Sequence, residues 1–288
     1  MKKILVTGAF GQLGASLCEV LSNKSILATG RIITMTEKYR SVELDITNQK
    51  NVEELIHNYK PDIIIHLAAM TDVDGCEKDP EIAFDVNVRA TENLLKNFRG
   101  KFIYISTDYV FDGEEGPYSE DDKVNPVSVY GKTKLYGENL IKESDIDWVI
   151  LRSNIIFSYN DRTKASFVNW VVDSLKRKQI ITVVNDQWNN PTWTNDLANV
   201  ISMIIEKNIS GLYHYGGGDF LNRLEFAKMI ASAFSLDREL IQPITTPELN
   251  WLAQRPLKSG LYTNKIELDL GIEPLPIQKA LDKMVSLL

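Results

Sequence analysis

The spacing of a tyrosine and a lysine suggests proton-transfer chemistry in this chain. Tyr130 and Lys134 stand four residues apart, which places them on one face of a helix, one turn from each other. A phenol has an unperturbed pKa of ~10, and a neighbouring ammonium group favours the phenolate, which brings the phenol closer to neutral pH. Taken alone the pair is a weak signal, because chance often produces it on a surface helix.

A glycine-rich loop near the N-terminus has the form of a phosphate-binding turn. It follows the apolar run Ile4-Leu5-Val6. Glycines allow a tight turn and a close approach to a pyrophosphate, whose charge meets free N–H groups at the start of the next helix. A place between the first strand and the first helix is the context that a dinucleotide-binding fingerprint requires. The predicted cofactor contacts in this loop are Gly8, Phe10, Gly11, Gln12, Leu13 and Gly14.

The residue after the second strand distinguishes NADPH from NADH. A carboxylate at this point would bind the ribose 2′-hydroxyl of NAD, whereas a cation would bind the 2′-phosphate of NADP. The chain has Gly30 followed by Arg31, so we predict NADPH as the cofactor and NADH as the alternative. An arginine at a strand end is also common on surfaces that bind no ligand, so Arg31 alone does not decide the choice.

The ends of the next strands supply further predicted site residues. Asp45 and Ile46 close the third strand and are expected to flank the adenine. The fourth strand ends in residues expected to line the route to the nicotinamide: Ala68, Ala69, Met70 and Thr71. The fifth strand ends in three polar residues: Thr107, Asp108 and Tyr109. A glycine loop, then a strand-terminal hydroxyl, then a Tyr–Lys pair is the order that a hydride-transfer site uses.

These residues require a fold that brings strand ends together. Short apolar runs alternate with helical patterns through the first half of the chain, beginning at Ile4, Ile26, Val42, Ile63, Phe102 and Trp148. Continuous apolar strands are expected when helices cover both faces of a parallel sheet. We therefore predict an α/β fold with a doubly wound parallel (Rossmann) sheet and a smaller C-terminal substrate-binding lobe.

The second half of the chain has a looser pattern. Its predicted elements are a helix over 167–177, a strand over 181–184, a helix over 197–206 and a strand over 212–215. Asn222 and Glu225 have the spacing of a capping box at the start of a further helix. Because no Pro/Ser-rich linker separates the halves, we predict a dinucleotide-binding lobe over 1–154 and a mainly substrate-binding lobe over 155–288, interleaved with the first.

Composition excludes several classes of function. The chain has 288 residues, 44% of them apolar, and its 32 basic and 39 acidic side chains give a net charge of −7. It lacks the basic face of a nucleic-acid binder. Two cysteines, Cys18 and Cys76, with three histidines argue against a metal site or a disulfide framework. Since no apolar run could span a bilayer and no signal-peptide core is visible, we expect a cytoplasmic protein without membrane, metal or nucleic-acid partners.

These motifs resemble those of the extended short-chain dehydrogenases/reductases, and within them the dTDP-4-dehydrorhamnose reductase family. The likeness covers nearly the whole chain. It rests on the strings 11–14, 68–74, 106–113, 129–135, 186–187 and 191–192, and on Arg255-Pro256 with Ser259 and Leu261. The resemblance implies that Tyr130 donates a proton to a carbonyl oxygen, that Lys134 is its electrostatic partner and a ribose ligand, and that Thr107 shares the substrate oxygen.

The implied activity is the NADPH-dependent reduction of a nucleotide-linked 4-keto-6-deoxysugar, in deoxysugar and cell-surface polysaccharide biosynthesis. The residues expected at the substrate are Thr107, Asp108, Tyr109, Asn154, Ile155, Gln187, Trp188 and Arg255. Arg255 suits a diphosphate, because a guanidinium fork matches phosphate oxygens, although a surface salt bridge is the simpler role. Trp188 and Trp193 could stack on a base or sugar, or only pack, whereas His66 is expected to be a buried core imidazole.

Three departures from the family pattern bear on specificity. Ile155 stands where members commonly have a tryptophan against the sugar, and Asn189 replaces a usual glycine. Tyr109 follows Asp108 where the related dehydratases place a glutamate, which disfavours 4,6-dehydration. An NDP-sugar epimerase and a non-catalytic NADP-binding regulatory subunit, like that of methionine adenosyltransferase, remain the alternatives. A homodimer is one assembly that the sequence leaves open.

Overall fold

The apolar runs of the sequence form strands, and the segments between them form helices. The computed structural model describes residues 2–33, 38–160 and 166–288. The strands are β1 (Lys3–Thr7), β2 (Ser25–Gly30), β3 (Arg40–Glu43), β4 (Ile63–His66), β5 (Lys101–Thr107), β6 (Asp147–Ser153), β7 (Ile156–Phe157), β8 (Ile181–Val184), β9 (Trp188–Asn189), β10 (Thr192–Trp193), β11 (Gly211–His214), β12 (Leu221–Asn222) and β13 (Ile241–Ile244).

The helices lie between these strands and after the last of them. They are α1 (Gln12–Val20), α2 (Gln49–Tyr59), α3 (Val73–Lys78), α4 (Pro80–Phe84), α5 (Ala90–Lys96), α6 (Val129–Lys142), α7 (Phe167–Lys176), α8 (Thr194–Lys207), α9 (Arg223–Ala233), α10 (Asn264–Leu270) and α11 (Ile277–Ser286). A π-helical turn, Asp85–Arg89, joins α4 to α5.

Seven parallel strands form the central sheet, in the order β11-β6-β5-β4-β1-β2-β3. Along the register, Leu5 of β1 lies opposite Leu27 of β2 and Ile64 of β4. The doubly wound fold predicted from the sequence is thereby confirmed. Since every neighbouring pair in this sheet is parallel, the carboxyl ends of its strands share one edge, where ligands bind in open α/β sheets.

Helices cover both faces of this sheet, because alternate strand residues point to opposite sides. Ile4 and Val6 pack on one face with Leu17 of α1 and Ile201 of α8. On the other face Leu5 packs in a second core whose members come from α2, α5 and the neighbouring strands: Val52, Ile56, Leu94, Phe102 and Ile150. Burial on both faces explains why the strands are continuously apolar rather than alternating.

The second half of the chain has a core of its own and also completes the central sheet. Buried residues between Phe157 and Met284 form this separate core, under α7, α9 and α11. The segment predicted as a strand over 212–215 is β11, which pairs with β6 at the sheet edge. The capping box of Asn222 and Glu225 is present at the start of α9. The division of the chain at residue 154 stays a prediction.

The sequence predicts neither a membrane span nor a metal site. Among residues 2–33, 38–160 and 166–288, no helix combines the length and the hydropathy that a membrane crossing requires. Over the same ranges, no group of three or more His, Cys, Asp or Glu side chains lies close enough to hold a metal ion.

Candidate active site

A cavity of about 470 Å³ opens at the carboxyl ends of β1, β4, β5 and β6. The ends of these strands meet there because the strands are parallel neighbours in the sheet. The predicted residues that line the cavity are Gly8, Gly11, Gln12, Leu13, Gly14, Ala68, Ala69, Thr71, Thr107, Asp108, Tyr109, Tyr130, Lys134, Asn154 and Ile155. The fold therefore brings the predicted cofactor loop and the predicted catalytic residues together.

The glycine loop forms one wall of this cavity. Gly8 has a φ of +68°, which favours glycine, and a Cβ on Gly14 would lie 2.3 Å from the carbonyl oxygen of Gly8. Gly11 precedes α1 in an extended conformation, and no described side chain caps the first turn of that helix. Uncapped N–H groups at a helix start, together with the helix dipole, suit a pyrophosphate. The loop therefore fits the dinucleotide cofactor that the sequence predicts.

Arg31 lies in an adjoining cavity of about 380 Å³ with Asp45 and Ile46, beyond the ends of β2 and β3. Its side chain is exposed. The Thr47 hydroxyl and N–H donate to Asp45 Oδ1 at 2.7 and 2.9 Å, and these hydrogen bonds hold the pKa of Asp45 below its ordinary value. A Cβ on Gly30 would lie 2.9 Å from the Phe10 ring, so the space beside Gly30 accommodates that ring. Phe10 itself does not line the cavity around the glycine loop.

Helix α6 carries the predicted catalytic pair on one buried face. Ser128 caps the helix, since its hydroxyl accepts from Gly131 N at 3.2 Å. Burial raises the pKa of the Tyr130 phenol above its ordinary value, and a hydrogen bond with Thr107 opposes that rise. The rings of Tyr130 and Tyr109 meet edge to face, with centroids 5.5 Å apart. The pKa therefore moves away from neutral pH, opposite to the shift expected from the Tyr–Lys spacing, because burial outweighs any effect of the ammonium group, and the phenol is protonated at neutral pH.

Lys134 lies one turn further along α6 and is almost fully buried. Burial lowers the pKa of its ammonium group to about 7, and the Glu138 carboxylate acts in the opposite direction. The Lys134 Nζ atom is 3.9 Å from the centroid of the Tyr104 ring, a favourable contact for a cation. The charge of Lys134 is therefore sensitive to what enters the cavity.

Thr107 and Asp108 connect the phenol to the second half of the chain. The Thr107 hydroxyl accepts from Tyr109 N at 3.2 Å and donates to Asp108 Oδ1 at 3.1 Å. Asp108 Oδ2 accepts from the Ser259 hydroxyl at 2.5 Å. Burial raises the pKa of Asp108 to about 6, and the two hydroxyl hydrogen bonds oppose the rise. Through this short network Asp108 fixes the orientation of Thr107.

Asn154 and Ile155 line the cavity at the end of β6. The Asn154 amide donates to Asn190 Oδ1 at 2.9 Å, and its buried Oδ1 has no hydrogen-bond partner among the described residues. Ile155 has a φ of +38°, a strained value for a β-branched residue. Strain of this kind persists only where the surrounding structure imposes it, which marks this turn as tightly constrained.

Four other predicted residues do not line this cavity: Met70, Gln187, Trp188 and Arg255. Gln187 donates to the Thr246 hydroxyl at 2.9 Å, and the Trp188 ring lies 5.8 Å from that of Phe220. Trp193 packs against the core of the second half. The cofactor contact predicted for Met70 and the substrate contacts predicted for Gln187, Trp188 and Arg255 stay predictions.

Arg255 is neutralised within the chain. It forms an ion pair with Asp74 at 3.1 Å, and its guanidinium carbon lies 4.8 Å from the centroid of the Trp251 ring. His66, expected in the core, is indeed buried, with Thr7 Oγ1 2.7 Å from its Nδ1 atom and Thr91 Oγ1 3.2 Å from its Nε2 atom.

Arg223 is a cavity residue that the sequence does not reveal. It is the first residue of α9, and its guanidinium carbon lies 4.9 Å from the centroid of the Phe167 ring. The capping box at Asn222 predicts where this helix begins, but not which part of the distant sheet the helix start approaches. No local pattern around Arg223 distinguishes it from a surface arginine.

Comparison with known proteins gives matches along the whole chain. A family described as RmlD substrate binding domain matches residues 1–288. A dTDP-4-dehydrorhamnose reductase of Aggregatibacter actinomycetemcomitans is 36% identical over 296 residues, which cover 98% of this chain and 97% of the relative. Methionine adenosyltransferase 2 subunit beta of Danio rerio is 32% identical over 288 residues, which cover 97% of this chain and 89% of that one.

A solved structure extends the likeness to three dimensions. The dTDP-4-dehydrorhamnose reductase of Bacillus anthracis str. Ames, solved in complex with NADP, superposes with a TM-score of 0.87 at 29% identity. The match covers 100% of this chain and 99% of that one. Both the reductases and the adenosyltransferase subunit are therefore similar to this chain over nearly their full lengths.

Proposed function

We propose, from the premise that this chain belongs to the RmlD substrate binding domain family, that it reduces the carbonyl of a nucleotide-linked 4-keto-6-deoxysugar with NADPH. One observation carries the proposal. The same cavity is lined by Thr107, Tyr130 and Lys134 and by the start of α1, which no described side chain caps. A dinucleotide bound at the start of α1 would lie beside the Tyr130 proton donor, so this arrangement supports reduction of a carbonyl.

The reaction needs one hydride and one proton. NADPH, when bound, supplies the hydride to the carbonyl carbon and leaves as NADP⁺. Tyr130 gives its phenolic proton to the carbonyl oxygen, so that an alcohol forms and the phenolate is later reprotonated by solvent. Because burial raises the pKa of Tyr130, the phenol is fully protonated before the reaction begins.

Thr107 and Lys134 act on the charge that develops. The Thr107 hydroxyl, oriented by Asp108, lies in hydrogen-bonding contact with the phenol and can share the substrate oxygen. Lys134 stabilises the phenolate left after proton transfer and would bind the cofactor ribose. Its pKa of about 7 in the ligand-free cavity rises once a phenolate or a phosphate lies nearby, since a neighbouring negative charge favours the ammonium form.

The cofactor preference is for NADPH, with NADH as the alternative. Arg31 supports NADPH, because its exposed guanidinium lies at the end of β2 where a 2′-phosphate would be placed. We also propose a cytoplasmic location and a role in deoxysugar and cell-surface polysaccharide biosynthesis. Assembly as a homodimer stays a prediction.

Two alternatives remain open to test. An NDP-sugar epimerase would retain its NAD through turnover, whereas a reductase releases NADP⁺ at each cycle. A regulatory subunit, as in the methionine adenosyltransferase relative, would bind the cofactor without consuming it. The intact Thr107, Tyr130 and Lys134 in a shared cavity favour the reductase over that second alternative.

The decisive experiment is NADPH oxidation with dTDP-, UDP-, GDP- and CDP-linked 4-keto-6-deoxysugars, with identification of the product. We expect stoichiometric alcohol and NADP⁺ from at least one of them. In Tyr130→Phe the ring remains but the proton does not, so kcat should fall by roughly 10²-fold or more at unchanged NADPH affinity. NADPH binding without turnover on any of these sugars would support the regulatory alternative, and near-normal kcat in Tyr130→Phe would remove Tyr130 from the mechanism.

A further inference from the structure

Arg223 is held in place before any ligand binds. Its backbone N–H donates to the Gln187 carbonyl oxygen at 3.1 Å. Asn222 and Glu225 complete the capping box with hydrogen bonds of 2.9 and 3.0 Å. The guanidinium group lies against the Phe167 ring and lines the same cavity as Tyr130. A rigid helix start therefore presents a cation to the cavity.

In the described part of the chain, the positive charge of Arg223 has no anionic partner in direct contact, although Asp108 lies close enough to attract it. Among the described residues, its guanidinium forms no ion pair and no hydrogen bond, while Arg255 is paired with Asp74. Burial lowers the pKa of Arg223, and the charge of the nearby Arg255 adds to that effect, whereas Tyr109 and Asp108 oppose it. An arginine remains charged even so, and its N–H donors form a planar fork that matches two phosphate oxygens. The cavity thus contains an unused anion-binding group.

The chemistry of the substrate indicates which anion this is. A 4-keto-6-deoxysugar is neutral, so the diphosphate is the charged group next to it. The anomeric carbon that carries the diphosphate lies across the pyranose ring from C4, where the carbonyl would face Tyr130. We propose that Arg223 binds the diphosphate of the nucleotide sugar, and that it does so in preference to the Arg255 predicted from the sequence. This inference rests on the proposed function.

Calorimetric titration of the NADP⁺-saturated protein with dTDP, UDP, GDP and CDP tests the inference without turnover, and thymidine serves as the phosphate-free probe. In Arg223→Gln we expect affinity for the best diphosphate to fall by roughly 10- to 100-fold, with thymidine binding unchanged. Arg223→Lys should retain part of the affinity. Arg177→Gln removes an equal charge from an exposed site and should bind like wild type.

Arg255→Gln is the comparison that separates the two arginines. Loss of diphosphate affinity in Arg255→Gln but not in Arg223→Gln would overturn the inference, and so would a wild-type protein that binds none of the four diphosphates. Folding is checked by the melting temperature, which should change little in Arg223→Gln because the side chain is half-buried and forms no ion pair among the described residues. Diphosphate binding through Arg223 without turnover of any keto sugar would reject the proposed reduction alone and leave the anion site standing.

Discussion

Several side chains in the cavity have pKa values displaced toward the neutral form. The pKa of Asp108 is raised to about 6 and that of Lys134 lowered to about 7, in both cases mainly by burial. The pKa of Tyr130 is raised for the same reason. Because one cause acts on all three, a ligand that brings its own charges changes their protonation states together. The charges of a bound cofactor and substrate should therefore set the protonation of these three side chains.

A prediction at this scale concerns Arg31 and the cofactor. Loss of a charge-assisted contact with the 2′-phosphate in Arg31→Gln should weaken NADPH binding by on the order of 1.5–3 kcal/mol and leave NADH binding nearly unchanged. Fluorescence titration with both cofactors measures this difference. If the binding of NADPH and NADH weakened equally, or if neither weakened, Arg31 would be only a surface residue.

A second prediction concerns Ile155, which lines the cavity in place of the tryptophan common in the family. A larger flat ring there should change the ranking of sugar substrates, and a difference in one apolar wall typically changes discrimination by about 1–3 kcal/mol. We expect Ile155→Trp to reorder kcat/KM across the four keto-sugar nucleotides. If wild type and variant ranked the four substrates identically, residue 155 would not determine substrate specificity.

The site residues that the sequence predicts are those that belong to short motifs, in which all the informative residues are close together in the chain. Tyr130 and Lys134 share a helix face through their spacing, and Gly8 belongs to a motif within seven residues. Arg223 and Arg255 could not be ranked in this way, because their partners are distant in the chain. Arg255 meets Asp74 only after the two halves fold together, and Arg223 meets Phe167 only after α7 and α9 pack within the second half.

Among the elements, α6 links the proposed chemistry to the buried centre of the fold. Glu138 follows Lys134 by one further turn on the same face and is fully buried. Its carboxylate accepts from Arg152 Nε and Nη2 at 2.8 and 2.7 Å and from the Ser106 hydroxyl at 2.6 Å. The sequence spacing places Glu138 on this face, but it does not show that Arg152 of β6 forms the ion pair with Glu138. The pair fixes the helix against β5 and β6.

Removing one member of this buried pair should be costly. We expect Glu138→Leu to lower the free energy of unfolding by about 3–5 kcal/mol, because Arg152 is left charged and unpaired in the interior. The double variant Glu138→Leu/Arg152→Met should lose much less than the sum of the two single changes. Denaturant titration of all four proteins measures the coupling. Additive losses would mean that the ion pair contributes nothing specific.

At the scale of the whole molecule, the two halves share both the sheet and the site. Helix α8 packs on α1, and the Ser16 hydroxyl donates to Thr194 Oγ1 at 2.8 Å between them. The bond from Ser259 to Asp108 joins the late chain to the end of β5. The alternation of apolar runs with helical patterns predicts the sheet. It does not predict these contacts, because they depend on how the second half of the chain packs against the sheet. Unfolding of either half should therefore disrupt the cavity.

The buried histidines make stability depend on pH. His66 in β4 and His214 in β11 both have a pKa lowered to about 3, mainly by burial. Below their unfolded pKa of about 6.5, the unfolded chain takes up two protons that the native protein does not, which favours unfolding as pH falls. Asp108 acts in the opposite direction, because its raised pKa of about 6 lets the native state take up one proton first.

For these three groups together, the net uptake by the unfolded state between pH 6 and pH 4.5 is one proton, two from the histidines less one from Asp108. Their combined contribution should lower the free energy of unfolding by about 2 kcal/mol over that range, at ~1.4 kcal/mol per pH unit. In His66→Gln the contributions of His214 and Asp108 cancel, so the slope should fall by ~1.4 kcal/mol per pH unit, while Asp108→Asn should raise it by the same amount. Denaturant titrations at pH 6.0, 5.25 and 4.5, about 0.75 units apart, measure these slopes. An unchanged slope in His66→Gln would mean that His66 is protonated in the native state, which its buried place between Thr7 and Thr91 argues against.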